Sequence, residues 1–118
     1  MSLQETYTPG AVTPFNAVPV STTDNTTTVT VQAAPGAGLR NRIVSVQLTN
    51  SSATDTEALL IQGTTTLSRV FVPKAGGREV VFPVPLICAV NAVFAFKATV
   101  AVTTLNCSAQ GFSEVSLV

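Results

Sequence analysis

Apolar and polar residues alternate with a period of two along most of this chain, the signature of strands with one buried face. In residues 26–33, Val29, Val31 and Ala33 fall on one side and Thr28, Thr30 and Gln32 on the other. Residues 43–50 set Val44, Val46 and Leu48 against Ser45, Gln47 and Thr49. Residues 67–72 put Val70 and Val72 opposite Leu67, Arg69 and Phe71. From 93 to 103, Phe94, Phe96, Ala98, Val100 and Val102 share a face, and residues 105–112 and 114–118 read as a last pair of short strands. Residue types agree: Val and Thr each occur 18 times, and β-branched side chains suit a pleated surface.

Turn residues punctuate these runs. Pro35-Gly36-Ala37-Gly38, Thr49-Asn50-Ser51-Ser52 and Gly63-Thr64-Thr65 close successive segments. Pro73-Lys74-Ala75-Gly76-Gly77 reads as a hairpin or tight corner in which glycine supplies a positive φ. Pro83 and Pro85 flank Val84, so pairing there must lie at an edge or be interrupted. Residues 52–60 form the one helix-compatible window, but they lack a 3.6-residue apolar stripe and read as a short turn. About eight short strands with Gly/Pro corners predict a β-sandwich or small barrel. Jelly-roll and immunoglobulin-like topologies share that pattern, although the Cys–Trp–Cys signature of the latter is absent.

The first twenty residues differ. Pro9, Pro14 and Pro19 recur every five residues among Tyr7, Val12, Phe15 and Val18. Proline this dense does not occupy a central strand and favours an extended path. Residues 1–20 read as an extended arm ahead of a single β-domain over 21–118, with Tyr7 and Phe15 as anchors on this domain or on a neighbour. A frayed terminus is the plain alternative.

Charge narrows the function. Only 10% of residues are charged, against 46% hydrophobic, where about 25% charged is ordinary. Six basic residues balance six acidic ones. That is too few to build the basic stripe of a nucleic-acid binder. No apolar run is long enough to span a bilayer as a helix, and the N-terminus lacks the pattern of a secretory signal. The chain therefore reads as a soluble protein made in the cytoplasm, with no membrane partner. Cys88 and Cys107 then read as buried, reduced thiols.

Catalytic templates find no match. His and Trp are absent, which removes the commonest acid–base group and zinc ligand. There is no GxSxG, GxxxxGK[ST] or GxGxxG. Asp55 and Glu57 could share a calcium ion, but the DxDxDG spacing is missing and a solvated loop is the simpler reading. No catalytic residue, cofactor or metal is expected. The basic residues flanking turns, Arg40 and Arg42 around Asn41 and Lys74 and Arg78 around Gly76-Gly77, are the candidates for pairing with partner carboxylates. Low charge with zero net charge favours association, and symmetric homo-oligomers are the usual outcome.

The run from Arg42 to Phe112 resembles small virion proteins of tailed bacteriophages. The similar stretches are "RIVSVQLTNSS", a strand ending in "IQG", "VFVPKAGGREVVFPVPL" and "NAVFAFKATVAVTTLNCSAQGF". The resemblance implies a jelly-roll-like β-sandwich, commonly trimeric, that serves as a capsid decoration (cement) protein on the major capsid protein or as a tail or fibre component. It transfers no active-site residue. The expectation is a non-enzymatic structural protein of the virion, synthesised in the host bacterial cytoplasm. A carbohydrate- or receptor-binding sandwich is the alternative from another class, and the scarcity of aromatic platforms weighs against it.

Overall fold

The computed structural model describes residues 12–102 and 104–116. Nine strands follow in chain order: β1 (Val12–Asn16), β2 (Val20–Thr22), β3 (Val29–Gln32), β4 (Leu39–Asn50), β5 (Thr56–Gln62), β6 (Thr65–Val72), β7 (Gly76–Ile87), β8 (Phe94–Ala98) and β9 (Leu105–Val115). They form two antiparallel sheets, one ordered β1-β9-β4-β7 with β2 also on β9, the other β3-β8-β5-β6. The protein is an all-β sandwich.

Strands β1 and β2 lie end to end along β9. Asn16 pairs with Gln110 and Val20 with Cys107, so three residues face two and a bulge separates the halves. Counted as one broken strand, they leave eight positions, four per sheet. The order then follows from a single nested hairpin: the first position pairs with β9, β3 with β8, β4 with β7 and β5 with β6. Rolling that hairpin brings β9 beside β4 and β8 beside β5, which closes the two sheets of a jelly roll.

Alternation builds the core. Ile43, Val46, Leu48, Leu105, Cys107 and Ala109 from one sheet meet Ala58, Leu60, Val70, Val72, Phe94, Phe96 and Ala98 from the other. One irregularity resets the expected phase. Ile43 pairs with Gly111 and Ser45 with Gln110, so Val44 is an extra residue and only half-buried while Ile43 is fully buried. Opposite the same point, the four residues from Phe82 to Pro85 of β7 face Val44 alone. The two prolines thus occupy both an edge strand and a gap in its ladder, where their missing donors cost least.

Four readings change. The window over residues 52–60 holds not a turn alone but the start of β5. That strand is central in its sheet, with Ala58 and Leu60 buried on one side and half-buried Leu59 and buried Ile61 on the other, so apolar residues on both sides blur the alternation in the sequence. The two short strands expected at the C-terminus are one, β9, which passes through Gly111 without stopping. At the Pro73 corner it is Ala75 (φ 48°), not a glycine, that adopts the left-handed conformation. Over residues 12–20 the extended arm lies along β9 of its own sheet, and β2 crosses the expected boundary at residue 20. The prolines hold it to the sheet's edge, as their missing donors require.

Buried asparagines fix both ends of β4. Asn50 Nδ2 donates to the carbonyls of Thr54 and Val72, while its Oδ1 accepts from Ser52 N–H and Oγ–H. At the other end Asn41 Nδ2 donates to Ala33 O at 3.1 Å, and its backbone carbonyl accepts from Cys88 N–H.

Candidate interaction face

The outer face of the β1-β9-β4-β7 sheet carries the protein's most concentrated side-chain chemistry. Strand register places Pro14, Phe112, Arg42 and Ile87 in one row across all four strands. The next row holds Val12, Glu114 and Arg40. Arg40 and Arg42 share a face because they stand two apart on one strand. Both direct Nε–H at a single oxygen, Glu114 Oε2, at 2.9 and 2.5 Å. The three side chains are about one-fifth to one-quarter exposed (24, 23 and 19%). Around them Val12 and Ile87 remain nearly half exposed, at 48 and 45%.

Burial acts to raise the Glu114 carboxyl, but the hydrogen bonds and charges of Arg42 and Arg40 outweigh it and hold that carboxyl below its usual range. Among the described residues, two guanidinium groups on one carboxylate leave one positive charge in excess. Farther along the face the chemistry becomes neutral. Gln110 Nε2 donates to Asn16 Oδ1 and Ser45 Oγ to Gln110 Oε1, while Ser108 Oγ donates to Gln47 Oε1 and Gln47 Nε2 to Glu79 Oε2. Most of these bridges join neutral amides and hydroxyls, and they tie neighbouring strands together.

The residues singled out from sequence thus separate. Arg40 and Arg42 come together with Glu114. Lys74 and Arg78 lie at the opposite end of the sheet: Arg78 pairs with Leu48, six residues along β4 from Arg42, or about 20 Å. Lys74 N–H donates to Asp55 Oδ1 at 2.7 Å. Phe15 faces inward, packing against its own core and over Gly111. Tyr7 lies outside the described residues. Sequence reasoning missed Glu114, Phe112 and Ile87 as parts of the face. The spacing of the two arginines gave their shared side, but Glu114 stands more than 70 residues away, and no local pattern links it to them.

Other places hold less. A shallow open cleft lined by Thr49, Asn50, Ser51, Ala75 and Gly76 has no ionisable side chain. Asp55 is committed to the Lys74 amide and Glu57 to Arg69, and the described residues contain no group of three or more His, Cys, Asp or Glu placed to hold a metal. Cys88 and Cys107 are buried and unpaired. Desolvation raises their pKa values to about 11 and about 12. Among the described residues no helix is long and apolar enough to cross a membrane.

Neither a scan against protein-family models nor a search of curated proteins gives a match. Among solved structures the chain is similar to one from work on Bacillus endospore appendages, described as a novel family of disulfide-linked pili. Identity is 12%, with 89% of each chain covered and a TM-score of 0.43.

Proposed function

We propose that this chain is a non-enzymatic structural subunit of a virion, a capsid decoration protein that docks as a homotrimer on the major capsid protein. The observation that carries the reading is the outer face of the β1-β9-β4-β7 sheet. Val12, Pro14, Phe112 and Ile87 stand there around a half-buried cluster with one excess positive charge, on a molecule that is otherwise sparsely charged. Exposed apolar side chains grouped in this way mark a surface that another subunit covers. The resemblance of residues 42–112 to small virion proteins of tailed phages supplies the setting. Decoration is mechanical work: a small module repeated around a shell adds interface area, and many modest contacts give firm retention.

The test is to separate virions of the phage encoding this chain into heads and tails and to quantify it in each by mass spectrometry. A fixed ratio to the major capsid protein in the head fraction is the expected result. Recovery only with tails would move the protein to a tail or fibre role, and absence from virions would overturn the reading.

A further inference from the structure

We propose that the outer face of the β1-β9-β4-β7 sheet binds the N-terminal segment of a second copy, with Glu5 of that copy entering the Arg40–Arg42 cluster and its Leu3 and Tyr7 covering the apolar residues on either side. The inference deepens the assembly reading above by naming what meets what.

Charge accounting leads to it. Of six acidic residues, the five in the described part of the chain each accept a hydrogen bond within their own domain. Asp24 takes the amides of Thr26 and Thr27, Asp55 that of Lys74, Glu57 a bond from Arg69, Glu79 one from Gln47, and Glu114 those from Arg40 and Arg42. The sixth, Glu5, belongs to the N-terminal segment. The Arg40–Arg42–Glu114 cluster has one positive charge in excess, and one carboxylate would balance it. Guanidinium groups suit that role because their planar forks can bind a second carboxylate while holding the first.

Shape selects this cation site over the others. Bound in an extended conformation, in which side chains two apart share a face, Leu3, Glu5 and Tyr7 would present an apolar–acidic–apolar triplet about 13 Å long. The row Pro14–Phe112–Arg42–Ile87 crosses three strand spacings, about 14 Å, with its charge between apolar ends. Lys74 and Arg78 offer no such flanks, as they sit at an exposed corner of Pro73, Gly76 and Gly77. Lys97 shares its row with Leu59 and with Arg69, whose partner is Glu57. The direction of β1 favours a second copy over the same chain. Val12 pairs with Glu114 near the end of β9, so continuation in the direction of β1 would carry Glu5 roughly 23 Å beyond the end of its own sheet. A contact that passes from one copy to the next is heterologous, and it gives a ring such as a trimer where the rotation between copies closes.

The test uses the full chain and measures mass by sedimentation velocity over a range of concentrations. Glu5→Arg should weaken self-association at least tenfold, with circular dichroism as the check that the sandwich is intact. A chain with the cluster reversed in sign, R40E/R42E/E114R, keeps its internal pairing and should also fail to self-associate. Mixing the two variants should restore association between unlike copies, because the segment carrying Glu5→Arg brings a cation to an acidic cluster while the parental Glu5 meets the parental cluster. In a ring of three, two of the three contacts are then matched. Association of Glu5→Arg as tight as the parent, a parent that stays monomeric at every concentration, or a mixture that does not associate would each overturn the inference. Head-fraction recovery of Glu5→Arg separates the two readings. Its presence on heads with unchanged self-association leaves the decoration role standing and removes the arm contact. Glu5-dependent association of a chain absent from virions does the reverse.

Discussion

Gly111 stands where β9 closely approaches β4, and a Cβ there would lie 2.0 Å from Arg42 O and 3.0 Å from Phe15 Cζ. A backbone oxygen cannot swing aside as a side-chain end can, so Gly111→Ala should cost about 3 kcal/mol, the upper part of the range for overpacking. Urea unfolding would measure it, and a loss under about 1 kcal/mol, the bottom of that range, would mean the strands separate freely. Glu114 gives a pH-dependent counterpart. Its folded-state pKa lies below the usual value, so its contribution is complete above about pH 4.3 and is lost as pH falls through the folded-state value. The urea midpoint of the parent should therefore fall between about pH 7 and about pH 3, and that of Glu114→Gln should fall less. Equal losses would show that the arginines do not stabilise the charged form. The thiols of Cys88 and Cys107, raised by desolvation, are protonated at neutral pH, and only the thiolate is nucleophilic. Maleimide labelling of native protein should therefore be slow and should become rapid in denaturant. Fast native labelling of either thiol would contradict that.

Strands were legible where apolar and polar residues alternate and obscure where apolar residues fall on both faces. The alternation of β3, β6 and β8 appears directly in the residues, whereas β5, enclosed between β6 and β8, offers only the run Ala58-Leu59-Leu60-Ile61. The C-terminal run reads as two strands divided at Ser113, although β9 continues through it, and Gly111 within that strand marks close approach of two backbones. Pro14 and Pro19 point to an extended path, and an edge strand with a bulge accommodates both. The Arg40–Arg42–Glu114 cluster was half legible, because i, i+2 spacing fixes a shared face while a cross-strand partner depends on topology. Of the two anchorages open to Phe15, this domain or a neighbour, the structure shows the first. Its ring packs on its own core, so Phe15→Ala should lower folding stability by about 2 kcal/mol. A chain lacking residues 1–16 should be less stable than one lacking residues 1–11 by at least as much as Phe15→Ala costs. Equal stability of both truncations would show that β1 is not held by its sheet.

At the scale of the whole molecule, the nested pairing dictates an order of folding. Strands β5 and β6 are joined by the two residues Gly63 and Thr64 and pair locally, whereas Val12 must find Glu114 across nearly the entire chain. Loop-closure entropy rises with the length enclosed, so forming the innermost pair first shortens the effective loop for each pair outside it. Folding dominated by such distant pairings takes milliseconds to seconds. The innermost hairpin should be formed in the transition state and the outermost pair should form after it. Gly63 has φ 57°, so Gly63→Ala costs roughly 1–2 kcal/mol, enough for a reliable kinetic comparison. That loss should appear mainly as slower folding, whereas the loss in Phe15→Ala should appear mainly as faster unfolding. Stopped-flow chevrons of the two variants under conditions that keep the chain monomeric would decide it. If Phe15→Ala slowed folding in proportion to its destabilisation, the β1–β9 closure would belong to the nucleus, and the sandwich would assemble around its ends rather than from its innermost turn.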